Sequence, residues 1–285
     1  MARECVSPAS VSRQPPPSGR LGFTMRGMKV LTFFNHVGGA LKSSLTREVG
    51  FCLAARGYRV LMIDLDPQAN LSAWAGVSTD DLARTVHDTA VDDAPLPSPF
   101  PVHGVDLIPS NVLLSLVEGR MLGTIGSQMN LRSHLHEDMK DRYDVVLIDS
   151  PPSLGQLAVL GAIAADHLIV PVPTEEKGVL GLKGLTQMLP AYRKLNPGLS
   201  VALYVPTRYD KRNLHDREML AFYEQNLRPL ASPVPLRAVW KDAQLARQPL
   251  SVYDPRSEAN AHAARVTDEI LQAAGLSAEA THGPR

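Results

Sequence analysis

From residue 28 onward, short and almost uniformly apolar runs alternate with longer stretches of helical spacing. The run KVLTFF at 29–34 predicts a first strand. The stretch 42–56 puts Leu45, Val49, Cys52 and Leu53 on one helical face, and Gly57 stands where a helix commonly ends. YRVLMIDL at 58–65 is apolar on both faces, the pattern of a parallel strand covered on both sides. Further strands are predicted at 105–110, 144–150, 167–173 and 200–206, with helices over about 111–123, 128–142, 155–165, 176–195 and 212–228. A short strand near 233–236 and helices near 239–247 and 256–274 complete the pattern. Such alternation predicts an α/β fold, a doubly wound and mostly parallel sheet with helices on both faces, forming a single domain over 28–274. The proline-rich stretch DTAVDDAPLPSPFPVHG, 88–104, is expected to be a surface loop, and residues 275–285 a flexible tail.

Composition narrows the class without changing this picture. Of the 285 residues 44% are hydrophobic and 20% charged, which suits a globular chain with a sizeable core. Lys+Arg and Asp+Glu are 29 each, so total charge argues neither for nor against a nucleic-acid partner, and only its distribution can. The two cysteines, Cys5 and Cys52, have no metal-ligand spacing and suggest a reducing compartment rather than a disulfide framework. No run of about 18 apolar residues is present to span a bilayer. Residues 1–27 lack the apolar stretch of a signal peptide, and their Pro, Ser and Arg content predicts a flexible tail. Met25 and Met28 offer later starts just before the first strand.

The first candidate chemistry lies between the first strand and the first helix, in FFNHVGGALKSSL, 33–45. Gly38 and Gly39 can turn the backbone so that several N–H groups face one point, and the following helix adds its dipole. Lys42 can reach a phosphate as a point charge, and the Ser43 hydroxyl can ligate Mg²⁺. The pattern G-x-x-x-x-G-K-[ST] fails at both glycine positions, occupied here by His36 and Leu41. The loop alone is equally compatible with a strand-to-helix turn bearing an incidental lysine.

Two acidic stretches shift that balance. LMIDLDPQANL, 61–71, places Asp64 and Asp66 two residues apart at a strand's carboxyl end, with side chains on the same side. YDVVLIDSPPSLG, 143–155, places Asp149 at the end of another buried strand. Ligands of doubly wound sheets bind at the carboxyl ends of strands. Three carboxylates should therefore converge near Lys42 and Ser43, where a magnesium-bound nucleotide would offset their burial. Taken singly, each aspartate also reads as a cap or turn residue.

These stretches together resemble the ParA family of partitioning ATPases, the deviant-Walker-A branch of P-loop proteins. The family loop N-x-K-G-G-V-G-K-T-T is matched by Asn35-His36-Val37-Gly38-Gly39-Ala40-Leu41-Lys42-Ser43-Ser44, its D-x-D-P-Q-x-N by Asp64 to Asn70, and its Y-D-x-x-x-I-D-x-P-P-x-L by Tyr143 to Leu154. VPVPTEEKGVLGLKGL, 170–185, and PTRYDKRNLHDREML, 206–220, are also similar to family segments. The resemblance runs from Met28 to about Leu271, and its acidic motifs are more specific than its loop. It implies a P-loop NTPase-like fold with ATP and Mg²⁺ as cofactors. Gly38, Gly39, Ala40, Leu41, Lys42, Ser43 and Ser44 would form the phosphate loop, with Lys42 on the phosphates and Ser43 on the metal. Asp149 would hold Mg²⁺ through water, Asp64 would support the metal shell, and Asp66 would orient or activate the attacking water. It further implies an ATP-bound homodimer, non-specific DNA binding, a centromere-binding ParB-like partner, and a cytoplasmic, nucleoid-associated protein.

Two positions depart from the family. Val37 stands at the signature lysine that reaches the partner subunit's phosphates, and Leu41 at a loop glycine. A trans-acting cation contributes about 10³–10⁵ in rate in related phosphoryl-transfer enzymes. A non-glycine residue at φ > 0 costs roughly 1–2 kcal/mol. Weak hydrolysis is expected, with His36 or a partner protein's arginine supplying the missing cation; the alternative is a nucleotide-dead DNA- or partner-binding adaptor. For DNA, residues 206–265 hold ten cations against seven anions, a modest excess. Arg237, Lys241 and Arg247 are the best candidates for phosphate contacts, although residue by residue a solvated mixed-charge face is the favoured reading. Trp240 reads as a packing residue. The polar ending GLSAEATHGPR does not suit a membrane-binding helix of the kind MinD-like relatives carry, so no membrane partner is expected. No N/T-K-x-D base-reading motif is present, so adenine is expected by analogy.

Overall fold

The computed structural model describes residues 27–276; both predicted tails lie almost wholly outside that range. A seven-stranded sheet runs in the order β3-β4-β2-β5-β1-β6-β7. Its strands are β1 (Lys29–Phe33), β2 (Val60–Asp64), β3 (Phe100–Val102), β4 (Val105–Ile108), β5 (Val145–Asp149), β6 (His167–Pro173) and β7 (Ser200–Thr207). All pair in parallel except β3, which returns antiparallel along β4 at one edge. The uniformly apolar strands β2 and β5 are buried at every position, as a sheet covered on both faces requires.

The period-two alternation of the strands divides the core. Leu31, Phe33, Val145 and Leu147 face one layer, in which α1 (Lys42–Ala55) and α11 (Glu258–Ala273) pack. Val30, Val146 and Ile148 face the other, against α4 (Leu116–Met121), α5 (Asn130–Asp138) and α6 (Gln156–Ala164). A third cluster joins α6 to α7 (Glu176–Leu195) and α8 (Leu214–Asn226). Trp240, on α9 (Ala238–Leu245), is a core residue as expected.

Several local expectations need correction. Residues 88–104 are not a surface loop. They contain most of α3 (His87–Asp92), whose Thr89, Ala90 and Val91 are buried, and all of β3. An edge strand tolerates Pro101 because its missing N–H need not serve a central ladder. The strand expected near 233–236 is reduced to a bridge between Val234 and Thr207, since Pro233 and Pro235 have no N–H to extend it. The helix expected over 111–123 splits into a 3₁₀ turn, Val112–Ser115, and α4. Two short helices, α2 (Asn70–Ala75) and α10 (Leu250–Tyr253), were not anticipated.

A buried ion pair ties α1 to the carboxyl-terminal part of the chain. Arg47 and Glu48, both almost without solvent exposure, pair side by side. Arg47 Nη2 donates to the Gln248 carbonyl at 2.7 Å and Nε to the Trp74 carbonyl at 3.2 Å, while Glu48 Oε2 accepts from the Leu250 N–H at 2.9 Å. Breaking one side strands a buried charge, a loss of about 3–5 kcal/mol. Glu48→Ala is therefore expected to lower the denaturant midpoint far more than the double change Arg47→Met, Glu48→Gln, which removes both charges and leaves an acceptor for Leu250. Equal shifts for the two variants would show that the pair carries no net charge penalty.

Candidate functional site

β1 lies between β5 and β6, where the chain order of the sheet reverses, and a crevice opens at the carboxyl ends of its strands. The loop from Asn35 to Leu41 crosses that end and leads into α1. The Asn35 side chain anchors it: Nδ2 donates to the Pro171 carbonyl at 2.7 Å, and Oδ1 accepts from the Val37 N–H at 3.0 Å. Gly39 has φ +72, and Leu41, at the amino cap of α1, has φ 66. The position that the resemblance assigns to glycine thus does require a left-handed backbone, at a cost of roughly 1–2 kcal/mol for leucine. The leucine side chain packs against the hydrophobic cluster on the α1 face of the sheet. The loop leads into the first turn of α1, whose backbone N–H groups have no partner within the helix and no side-chain cap. A run of free donors at a helix amino terminus is an anion cradle.

Behind the cradle the three aspartates converge, each with a different environment. Asp64 and Asp149 are register partners at the ends of β2 and β5, and Phe33 of β1 is aligned with Asp149. Asp64 is saturated: Oδ1 accepts from the Asp66 N–H at 3.0 Å, and Oδ2 from the Ser72 N–H at 2.9 Å and the Ser72 hydroxyl at 2.7 Å. It braces the turn that carries Asp66 and the start of α2. Burial pushes its pKa up to about 7 against the pull of those bonds. Asp149 is equally buried, yet neither of its oxygens has a hydrogen-bond partner. Burial, then the neighbouring Asp64 charge, raises it well above the carboxylate range; the adjacent Ser43 hydroxyl and Lys42 pull the other way. Asp66 is raised by burial and lowered by the Gln68 N–H at 2.9 Å and by Lys42.

Lys42 completes the cluster. Its buried ammonium donates to the Val37 carbonyl at 3.3 Å. Burial lowers its pKa, and the charges of Asp149 and Asp66 partly restore it. Two orphaned carboxylate oxygens, a serine hydroxyl and a lysine at one buried point form a hard-oxygen donor set that fits a Mg²⁺–phosphate ligand.

Other functional positions were not legible from the sequence. Ser72, which holds Asp64, and Gln244, whose Nε2 donates to the Ser44 hydroxyl at 2.8 Å, carry no local signal. The signal on α7 is visible afterwards in the glycines at 178, 181 and 184. A Cβ at Gly181 would meet Asn35 Oδ1 at 2.5 Å, and one at Gly184 would meet the His36 ring at 2.1 Å, so α7 docks directly on the loop. His36, pressed against Gly184, has its pKa lowered by burial and then by Lys42. Both effects disfavour the imidazolium, so the packing on α7 does not assist His36 as a substitute cation. Arg237, Lys241 and Arg247 lie apart from the cluster, around α9. Arg237 pairs with Glu258 at 3.1 Å, whereas Lys241 and Arg247 are exposed.

The comparisons with known proteins agree with this geometry. A family model described as an AAA domain matches residues 28–201. The "Probable plasmid-partitioning protein ParA" of Thermus thermophilus is 41% identical over 255 residues, covering 86% of this chain and 78% of that one. The "Sporulation initiation inhibitor protein Soj" of Bacillus subtilis is 31% identical over 238 residues, covering 80% and 92%. Among solved structures, the Mycobacterium smegmatis protein described as cobyrinic acid a,c-diamide synthase with bound ATP analog and magnesium superimposes with a TM-score of 0.74 at 29% identity, covering 86% of this chain and 95% of that one. On the strength of the matched family model, these relatives and a cradle backed by three aspartates, the chain belongs to the ParA family of P-loop partitioning ATPases.

Proposed function

We propose that this protein is a Mg²⁺-dependent ATPase of DNA partitioning. In this reading it binds ATP at the loop from Gly38 to Ser44 and dimerises in that state. It then holds DNA without sequence preference and is released when a centromere-binding, ParB-like partner stimulates hydrolysis. Its place of action is the cytoplasm, on nucleoid DNA. Among the described residues, no helix is long and apolar enough to cross a membrane.

The observation that carries the reading is the orphaned Asp149 carboxylate beside Lys42 and Ser43. Lys42 would bind the phosphates. Ser43 and, through water, Asp149 would hold Mg²⁺, with Asp64 bracing the shell. Bound Mg²⁺ would neutralise phosphate charge. Asp66, whose N–H donates to Asp64 Oδ1, would orient the attacking water. Positioning and charge stabilisation supply nearly all the catalysis in such a transfer. Val37 and the strained Leu41 favour a second reading, a nucleotide-weak adaptor on the same fold. The Leu41 packing away into the apolar cluster speaks against it, since the leucine is accommodated within the fold.

Single-turnover hydrolysis of Mg–ATP separates the two. Asp66→Ala is expected to lower the rate at least about 100-fold while leaving binding within a few-fold, as loss of a transition-state interaction does; a rate indifferent to the substitution would mean the adaptor. Val37→Lys restores a cation at the position the family uses and is expected to raise turnover, by up to about 10³-fold if it acts across a dimer. DNA binding tests the surface around α9. Lys241→Ala is expected to weaken binding equally for unrelated sequences and to reduce the slope of log K against log[salt] by about 0.9, the value for one phosphate contact; an unchanged slope would remove Lys241 from the interface.

A further inference from the structure

Val37 leaves the loop without its expected cation, yet a positive charge does face the loop from another element. Lys177 lies in the first turn of α7, the helix whose Gly181 and Gly184 press on Asn35 and His36. Positions 177, 181 and 184 fall on one helical face, so the docking that seats the glycines also aims the lysine. Its ammonium nitrogen is 3.5 Å from where a Cβ at Gly39 would lie, on the exposed rim of the cradle.

That ammonium is held by one partner, Glu175, at 2.9 Å, and Glu175 has a second cation in Arg208. Arg208 adopts a left-handed backbone, φ 62, directly after Thr207, whose hydroxyl donates to the Ala40 carbonyl at 3.2 Å. The ends of β6 and β7 thus bring an acid and two bases against residues 39–40. Only one of the bases is needed to neutralise Glu175. Lys177 and Glu175 are each about one-third solvent-exposed, so the bond between them is cheap to exchange for an anion.

We infer that Lys177 is a phosphate-binding residue acting within its own subunit: it leaves Glu175 for the terminal phosphate of a nucleoside triphosphate at the Gly39 rim and supplies the cation absent at Val37, while Arg208 keeps Glu175 neutralised. The inference rests on the nucleotide site proposed above. Glu175 and Arg208 are positioning residues that keep the lysine beside the loop between turnovers. A triphosphate, carrying more charge than a diphosphate, draws the lysine more strongly, so Lys177 confers a preference for the triphosphate state.

The test is calorimetric titration of the full chain, in Mg²⁺, with a non-hydrolysable ATP analogue and separately with ADP. Lys177→Ala is expected to weaken the analogue roughly 10- to 100-fold, the range for losing a charge-assisted hydrogen bond, and ADP by about threefold or less, with an unchanged melting temperature. Lys177→Arg should recover most of the loss, and Glu175→Gln should tighten the analogue by freeing the ammonium. Lys183→Ala, on the exposed side of the same helix, should leave both affinities as they are. Wild-type binding with Lys177→Ala unchanged, or weakened equally for both nucleotides, would overturn the assignment and leave the nucleotide site intact. Failure of the wild-type chain to bind either nucleotide would overturn the site itself and this inference with it.

Discussion

The constraint on which the rest of this structure depends is a carboxylate with nothing to hold. Asp149 ends the central strand β5 with no solvent exposure and no well-formed hydrogen bond on either oxygen, only the Ser43 hydroxyl and the Lys42 ammonium nearby. An isolated ionised carboxylate in such a place costs several kcal/mol. Its register partner Asp64 is equally buried but fully served by Ser72 and the Asp66 N–H. Two acids of the same type, paired on adjacent strands, thus receive opposite treatment. One is structural, and the other is left open toward Lys42 and Ser43. That asymmetry is what a ligand-dependent charge cluster requires, and it would be wasteful in a turn that only joined a strand to a helix.

The cluster is also wired to the rest of the chain. α1 begins at Lys42 and continues through Ser44, which accepts from Gln244, to the buried Arg47–Glu48 pair fastened to Gln248 and Leu250. The segment so fastened follows α9, which carries the exposed Lys241, and is preceded directly by the exposed Arg247. Hydrogen bonds from α1 thus join the loop to the segment that carries the proposed DNA surface. On the opposite side of the loop, α7 is seated by its glycines and carries Lys177 to the rim. The loop is thus a junction between two halves of the molecule, each bearing cations.

Much of this was legible in the sequence because it depends on local pattern. The strands β1, β2 and β5 are continuous apolar runs, and the aspartates at their ends follow from period-two geometry alone. Leu41 was flagged as a residue standing where glycine is expected, and its φ of 66 shows why. What stayed hidden depends on distant contacts. Composition hid β3, because Pro101 looks like a strand breaker until the strand is known to be an edge. Neither Ser72 nor Gln244 differs in its local setting from any surface serine or glutamine. Lys177 reads as one charge in the run TEEKG until α7 is seen to lie on residues 35–39. His36 shows the converse. The sequence offered it as a substitute cation, and burial, then Lys42, lowers its pKa where it packs on Gly184.

The most direct test of the account is the melting temperature of Asp149→Asn beside that of the wild type at pH 8, each measured without ligand and with Mg²⁺ and a non-hydrolysable ATP analogue. If Asp149 is a buried carboxylate kept for a metal–phosphate ligand, the variant melts higher than the wild type when both are empty and gains little from the ligand, while the wild type gains several degrees. A variant that melts lower when empty, or that is stabilised by the ligand as much as the wild type, would contradict it.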